Sequence, residues 1–321
     1  MAPDGVPSTQ LSVVIPARDA AATIADQLTA LARQEWPGIW EVVVADNGST
    51  DETVSVTAAF EDRLPSLTVV DASGRRGAAH ARNTGARHAT GRFLVFCDAD
   101  DVVGDGWLSA MADALEESAF VAPRFDFHGL NPEHLLVARG EPQAEGLQAL
   151  NYPPYLAHAG GSGLGILRPV FEAVGGFDET LRYGEDTDLC IRVQLTGTPL
   201  TFAPRAQMYV RLQRSSRRQF WQAHRWARHN SFMYRRYRPA GHRLHRPWRN
   251  YGLELWQILS RVRRLVHPDK VARWVFRTGW HLGLLSAAIQ YRMPPMVAAA
   301  LRTPQPGLHE TNERSTAGPD A

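Results

Sequence analysis

The sequence predicts an α/β protein, with a mostly parallel sheet flanked by helices and a helical C-terminal extension. Three observations predict it. From Leu11 to about Pro123, short β-rich apolar runs alternate with amphipathic stretches at helical spacing, as in successive βαβ units. Two of those runs stop abruptly at carboxylates followed by a turn. Beyond Gln207 the chain changes to long segments of helical character rich in Arg and Trp.

The expected strands are Leu11–Pro16, Trp40–Ala45, Leu67–Val70, Phe93–Cys97 and Ala119–Ala122. Between the first two, Ile24, Leu28 and Leu31 recur at helical spacing, and Trp36-Pro37-Gly38 ends that helix. Ser49 and Glu52 match a capping box that would open the next helix. The alanine-rich stretch from Gly77 to Thr90 reads as a helix stopped by Gly91, and Trp107, Met111, Ala114 and Leu115 mark another. Phe125 to Leu150 is irregular and reads as a mobile or substrate-shaped insertion. Pro169 opens a short helix that Gly175-Gly176 closes, and a second helix runs from about Glu185 to Thr196. A further strand is expected at Gln207–Leu212.

Size and composition bound the function. A chain of 321 residues with 44% hydrophobic and 21% charged residues can bury a sizeable enzyme core. Two cysteines, Cys97 in an apolar run and Cys190 in a helix, support neither a disulfide framework nor a zinc knuckle. They read as buried thiols in a reducing compartment. Met1 to Gln10 lacks the pattern of a secretory signal, and no apolar run reaches the roughly 18 residues that span a bilayer. The expectation is a cytoplasmic protein, with the inner face of the plasma membrane as a second place to find it. The net charge of +2 conceals arginines concentrated after Arg205 and carboxylates concentrated before Asp188.

The strongest chemical signal is Phe93-Leu94-Val95-Phe96-Cys97-Asp98-Ala99-Asp100-Asp101. Strands of α/β sheets deliver ligand-binding groups at their carboxyl ends. Carboxylates crowded there repel one another unless a cation neutralises them, and oxygen ligands suit Mg²⁺ or Mn²⁺ bridging to phosphates. The competing reading is helix capping by acids. The second signal is Val42-Val43-Val44-Ala45-Asp46-Asn47-Gly48-Ser49-Thr50-Asp51, where Asp46 can accept a hydrogen bond from a nucleobase. Its competing reading is an Asx turn.

Taken together with Val13-Val14-Ile15-Pro16-Ala17-Arg18, Ala81-Arg82-Asn83-Thr84-Gly85 and Glu185-Asp186, these motifs resemble the inverting family-2 glycosyltransferases of the GT-A fold. Order and spacing agree over about residues 11 to 212. The resemblance implies a Rossmann-like mixed, mostly parallel sheet and a nucleoside-diphosphate sugar donor, with uridine as the base by family habit. It implies that Pro16, Ala17 and Arg18 line the nucleotide pocket, that Asp46 recognises the base, and that Arg75 or Arg76 lies near the base or diphosphate. Asp98 would contact the ribose or the metal, Asp100 would be the principal metal ligand, and Asp186 the general base on the acceptor hydroxyl. Gly163, within Gly160-Gly161-Ser162-Gly163-Leu164-Gly165, and Glu185 would belong to a loop beside the acceptor and donor sugar. Gly175-Gly176-Phe177-Asp178-Glu179 resembles the turn before the base, with Phe177 in a packing role.

Two departures stand out. Asn47 replaces an aspartate common in relatives, which suits a side chain that only hydrogen-bonds. Arg211, Gln213 and Arg214 occupy a region where many relatives carry a histidine, so a third protein ligand for the metal is unassigned.

The sequence divides into a flexible N-terminus (1–10), a catalytic domain (11–212), a basic, aromatic-rich helical region (213–302) and a disordered tail (303–321). In the helical region, arginines from Arg214 to Arg238 alternate with Phe220, Trp221, Trp226, Phe232 and Tyr234. They fit an anionic membrane surface or a lipid-linked acceptor, or a packed and solvated face, better than nucleic acid. Trp280 to Gln290 adds an amphipathic helix that would lie on the catalytic domain or in a membrane interface. The acceptor could be a glycan, a lipid-linked sugar or a small molecule. Two rival functions are a sugar nucleotidylyltransferase, which needs a glycine-rich basic loop absent from Val13–Asp19, and a non-catalytic carbohydrate-binding or nucleic-acid-binding module, which requires no particular arrangement of the acids.

Overall fold

The computed structural model describes residues 10–262 and 267–298. The expected flexible start, from residue 1 to 9, and the expected disordered tail lie outside them. In chain order the strands are β1 (Leu11–Ala17), β2 (Trp40–Asp46), β3 (Leu67–Asp71), β4 (Phe93–Phe96), β5 (Val102–Val103), β6 (Phe120–Asp126), β7 (Gln148–Ala149), β8 (Ala157–His158), β9 (Leu164–Leu167) and β10 (Thr201–Tyr209). The helices are α1 (Ile24–Ala32), α2 (Thr53–Ala58), α3 (Ala78–His88), α4 (Trp107–Glu117), α5 (Glu133–Arg139), α6 (Arg168–Ala173), α7 (Glu185–Leu195), α8 (Ser216–Tyr237), α9 (Pro247–Ser260) and α10 (Pro268–Tyr291).

One eight-stranded sheet runs in the order β3-β2-β1-β4-β9-β6-β10-β5. The β3-β2-β1-β4 half is parallel throughout, so those strands deliver their carboxyl ends to the same sheet edge. β9 then pairs antiparallel with both β4 and β6, β10 runs parallel to β6, and β5 closes the sheet antiparallel to β10.

Alternation along the central strands sorts the core onto two faces. Val13, Ile15, Val42, Val44 and Val95 meet Ile24, Leu28 and Leu31 of α1 and Trp107, Leu108 and Met111 of α4. Val14, Val43, Leu94 and Phe96 meet the alanines of α3, Phe171 of α6 and Leu189, Cys190 and Val193 of α7. The alanines have a steric reason. A Cβ on Gly85 would lie 2.4 Å from Val14 Cγ1, so α3 rides closer to the sheet than larger residues would permit. Arg168 holds the end of α3 by donating to the carbonyls of Ala86, Ala89 and Gly91.

Several local expectations change. No capping box forms at Ser49: its hydroxyl donates to Asp46, and Asp51 accepts from the Thr53 amide instead. Asp51 sits nearer the first turn of α2 and outcompetes Ser49 for it. The glycine-rich stretch from Gly160 is not all loop, because Leu164–Leu167 is a central strand buried between β4 and β6. The strand expected at Gln207–Leu212 starts earlier, at Thr201, with a register shift between Ala203 and Gln207. The irregular Phe125–Leu150 region contains the end of β6, α5 and the short β7.

The C-terminal helices share a third core in which Met233 and Tyr234 of α8, Tyr251 of α9 and Leu284 of α10 meet Ile191 of α7. Gly279 and Gly283 let α10 lie against the α8 backbone, since a Cβ at either would fall 2.3 Å from the Phe220 or His224 carbonyl oxygen. The amphipathic stretch Trp280–Gln290 therefore buries His281, Gly283, Leu284, Ala287 and Ala288 within the protein.

Candidate active site

β4 ends at Phe96, and a turn follows at once, with the Asp101 amide donating to the Asp98 carbonyl at 3.4 Å. The turn gathers the acids: carboxylate oxygens of Asp98, Asp100 and Asp101 all lie within 4.8 Å of one another. Asp100 opens to solvent on one side, yet the protein packed around it, and then the Asp98 charge, push its carboxyl up to about 6. Burial and its two acidic neighbours hold Asp101 well above the ordinary carboxylate range. The residues present fit a divalent cation, because carboxylates crowded this closely repel one another and a hard cation between their oxygens relieves that repulsion. Asp98 and Asp100 would hold it. Asp101 is buried and accepts from the Arg211 amide at 2.8 Å. Arg211, where a histidine was the family expectation, clamps this turn: its guanidinium donates to the Asp100 carbonyl at 2.9 Å and to Asp26 at 3.0 Å.

Two strands away, Asp46 stands at the end of β2 beside Ala17 of β1, its register partner. Its Oδ1 accepts from the Ser49 hydroxyl at 2.5 Å. Asn47 then fixes the loop that faces it. Its side-chain amide donates to the Ala72 and Arg75 carbonyls, and its oxygen accepts from the Gly77 amide at 2.9 Å. An aspartate cannot donate, so the asparagine here is a tie between two loops. Asp19 stitches the first loop to the second by accepting from the Thr50 amide at 2.7 Å. Pro16, Ala17, Arg18 and Asp46 thus share one sheet edge, with Arg75 and Arg76 exposed on the neighbouring loop. Arg75 lies 3.8 Å from Glu179.

Sequence reasoning singled out the motif that contains Arg82 but gave this residue no role. It is buried on α3 and donates to Asp98 at 2.5 Å and to Glu185 at 2.6 Å, joining the acidic turn to the start of α7. Against the cost of burial, the charges of Asp98, Glu185 and Asp186 raise its pKa further, so it stays a cation. An arginine inside an alanine-rich helix was the available signal. Asp186 lies next to Glu185, and its carboxylate accepts from the Gly161 amide at 3.0 Å and from the Thr187 amide at 2.6 Å. Burial pushes the Asp186 carboxyl up, with Arg82 pulling the other way.

The Gly161-Ser162 pair bridges the two acids, since the Ser162 hydroxyl lies 3.2 Å from the Asp98 amide that donates to it. Gly163 itself sits beneath the site: at φ +80° it donates to the Phe96 carbonyl, and a Cβ would lie 2.4 Å from Pro123 Cγ. Glu185 is likewise turned inward to Arg82 rather than toward the cleft. Phe177 packs edge-on against Phe96 at 4.9 Å, and Asn83 ties its backbone down through two 2.9 Å hydrogen bonds.

Arg82 therefore joins the Asp98–Asp101 turn to the start of α7 at Glu185-Asp186, and Asp46 ends β2 at the same sheet edge, with β1 between it and β4. The chain is 32% identical over 217 residues to the pre-mycofactocin glycosyltransferase of Mycobacterium tuberculosis, covering 63% of this chain and 43% of that protein. It is 32% identical over 222 residues to the validoxylamine A glucosyltransferase of Streptomyces hygroscopicus, covering 60% of this chain and 49% of the relative. The chain thus spans about half the length of these curated relatives. Among solved structures, the mannosyltransferase PcManGT of Pyrobaculum calidifontis, in complex with GDP-Man and Mn²⁺, superposes with a TM-score of 0.56 at 21% identity, over 94% of this chain and 80% of the other. The Staphylococcus aureus TarS fragment bound to UDP-GlcNAc gives 0.52 at 15% identity, over 88% and 92%. Such likeness shows the GT-A fold that the sequence motifs implied. The family model described as "Glycosyl transferase family 2" matches residues 12–175, from the first strand to the turn that closes α6, and the chain belongs to that family.

Proposed function

We propose that this chain is an inverting glycosyltransferase that moves a sugar from a nucleoside-diphosphate sugar, with UDP as the first nucleotide to test, to a hydroxyl of a glycan, lipid-linked or small-molecule acceptor. The observation that carries the reading is the convergence of Asp98, Asp100 and Asp186 around Arg82 at the edge where Asp46 also ends its strand. The relatives support the same direction, through the GDP-Man and Mn²⁺ of PcManGT and the UDP-GlcNAc of TarS.

Asp46 would accept a hydrogen bond from the base, with Pro16, Ala17 and Arg18 beside it. Asp98 and Asp100 would hold Mg²⁺ or Mn²⁺, which when bound offsets the charge of the leaving diphosphate. Asp186 would take the proton of the acceptor hydroxyl as the new bond to the anomeric carbon forms and the bond to the diphosphate oxygen breaks, releasing the nucleoside diphosphate. Its upward-shifted carboxyl makes it a stronger base toward the acceptor hydroxyl than an ordinary aspartate. In-line displacement of this kind inverts the anomeric centre.

Asp186→Asn removes the proton acceptor and keeps the shape of the side chain. The expected result is a loss of about 10²–10⁴ in turnover, measured as nucleotide released from the donor, with cation-dependent donor binding retained. Full turnover in the variant would contradict the assignment. Retention of anomeric configuration in the product, read by NMR, would contradict inversion.

A further inference from the structure

Four large apolar side chains stand uncovered on α9, in addition to Trp221 of α8 and Leu282 and Ile289 of α10. Trp248, Leu253, Trp256 and Leu259 are 58, 51, 67 and 59% exposed, and Val262 follows just beyond the helix. At 3.6 residues per turn these five spread over about half of the helix circumference. The remaining side holds the body of the protein. Tyr251 and Ile258 are buried, the Tyr251 hydroxyl donates to the His281 carbonyl at 3.1 Å, and the Trp274 indole donates to the Ile258 carbonyl at 3.1 Å. The helix thus lies flat on α10 with two indoles facing out. Leaving two such large apolar groups in water is costly, which marks the patch as a contact surface.

The surrounding charge says what kind of contact. Arg243, Arg246, Arg249 and Arg261 are exposed on and around α9. Glu254, the one acidic residue of the helix, is turned inward, with His281 Nε2 at 2.9 Å from its carboxylate. Between Gln213 and Arg302 the sequence carries eighteen arginines and one lysine against Glu254 and Asp269 alone. A second copy of this surface would oppose arginine to arginine. Apolar side chains ringed by cations instead complement an anionic bilayer, where indoles sit at headgroup depth and guanidinium groups meet phosphates. Among the described residues, no helix is long and apolar enough to cross a membrane, so the contact belongs in the plane of the interface.

We propose that α9 is an interfacial helix that seats the chain on an anionic phospholipid surface, with Trp248 and Trp256 entering the headgroup layer. The test is sedimentation of the full chain with phosphatidylglycerol-containing vesicles and with phosphatidylcholine vesicles, at low and high salt, alongside the tryptophan emission spectrum. The wild type should bind the anionic vesicles at low salt with a blue-shifted emission, and bind neutral vesicles or high-salt samples about tenfold more weakly or worse. The double variant Trp248→Ala/Trp256→Ala should lose at least about tenfold in binding while keeping its thermal midpoint. If that variant misfolds, Arg246→Glu/Arg249→Glu serves instead, with the same loss expected. Wild type that ignores anionic vesicles at low salt, or a folded variant that binds as wild type does, overturns the proposal. So would light scattering that shows a dimer dissolved by the tryptophan substitutions in a wild type that does not bind vesicles.

Discussion

Arg82 shows how much of the site depends on one side chain. It is 4% exposed and sits between two carboxylates that come from 16 and 103 residues away in the chain. Removing one partner from such an arrangement leaves charges buried without compensation, which costs about 3–5 kcal/mol. Arg82→Met should therefore lower stability by about that amount in urea denaturation, and Arg82→Lys by less, since an ammonium retains the charge but not the planar fork. A neutral effect of Arg82→Met would mean that Asp98 and Glu185 are satisfied some other way. The acids themselves were legible, because Asp46 and Asp98 each end an apolar run that reads as a buried strand, and Asp100 follows Asp98 by two residues. Arg82 was not, because its pairing is tertiary and its local setting reads as ordinary helix packing.

At the scale of elements, helix positions followed from apolar spacing, but what covers each helix did not. The amphipathic pattern of α10 fits a membrane as well as a protein neighbour. Gly279 and Gly283 decide the matter, because they admit the α8 backbone to within contact. Gly283→Leu should push the two helices apart and destabilise the C-terminal region by about 1–3 kcal/mol or more, seen as a lower thermal midpoint. An unchanged midpoint would show that α10 does not rest on α8 at this point. β9 was hidden for a different reason: a four-residue strand buried on both faces has no alternation to reveal it, and its flanking glycines read as loop. The Ser49–Glu52 pair misled because Asp51, two residues nearer the helix than Ser49, accepts the Thr53 amide first.

Over the whole molecule, the C-terminal helices are fastened to the sheet-containing half by two acids. Asp178 accepts from Arg236 at 2.8 Å, and the fully buried Asp188 accepts from the Tyr237 hydroxyl at 2.6 Å and from Arg192 at 2.6 Å. Burial alone would raise the Asp178 carboxyl, but hydrogen bonds from Thr180 and Arg236 outweigh it and hold the group at about 2. A carboxyl depressed below its unfolded value of about 3.9 stabilises the fold fully above that pH and loses the contribution as pH falls toward 2. The wild type should therefore lose stability between about pH 4 and 2 more steeply than Asp178→Asn, by urea midpoints across that range. Equal slopes would mean that the Asp178–Arg236 contact does not distinguish folded from unfolded chain. This fastening was invisible in the sequence, where the charge asymmetry between the two halves suggested separate partners; part of that charge is spent between the halves themselves.

In the function proposed for this chain, the carboxylates after β4 hold a divalent cation through which the nucleotide is bound. Calorimetric titration of UDP into the wild type and Asp100→Asn, each with Mn²⁺ and with chelator, tests it most directly, with GDP, ADP, CDP and dTDP as the comparison set. The expected result is one nucleoside diphosphate that binds the wild type with Mn²⁺, and an affinity at least about tenfold lower when either the cation or the Asp100 carboxylate is removed. Binding that is indifferent to both Mn²⁺ and Asp100→Asn would contradict it.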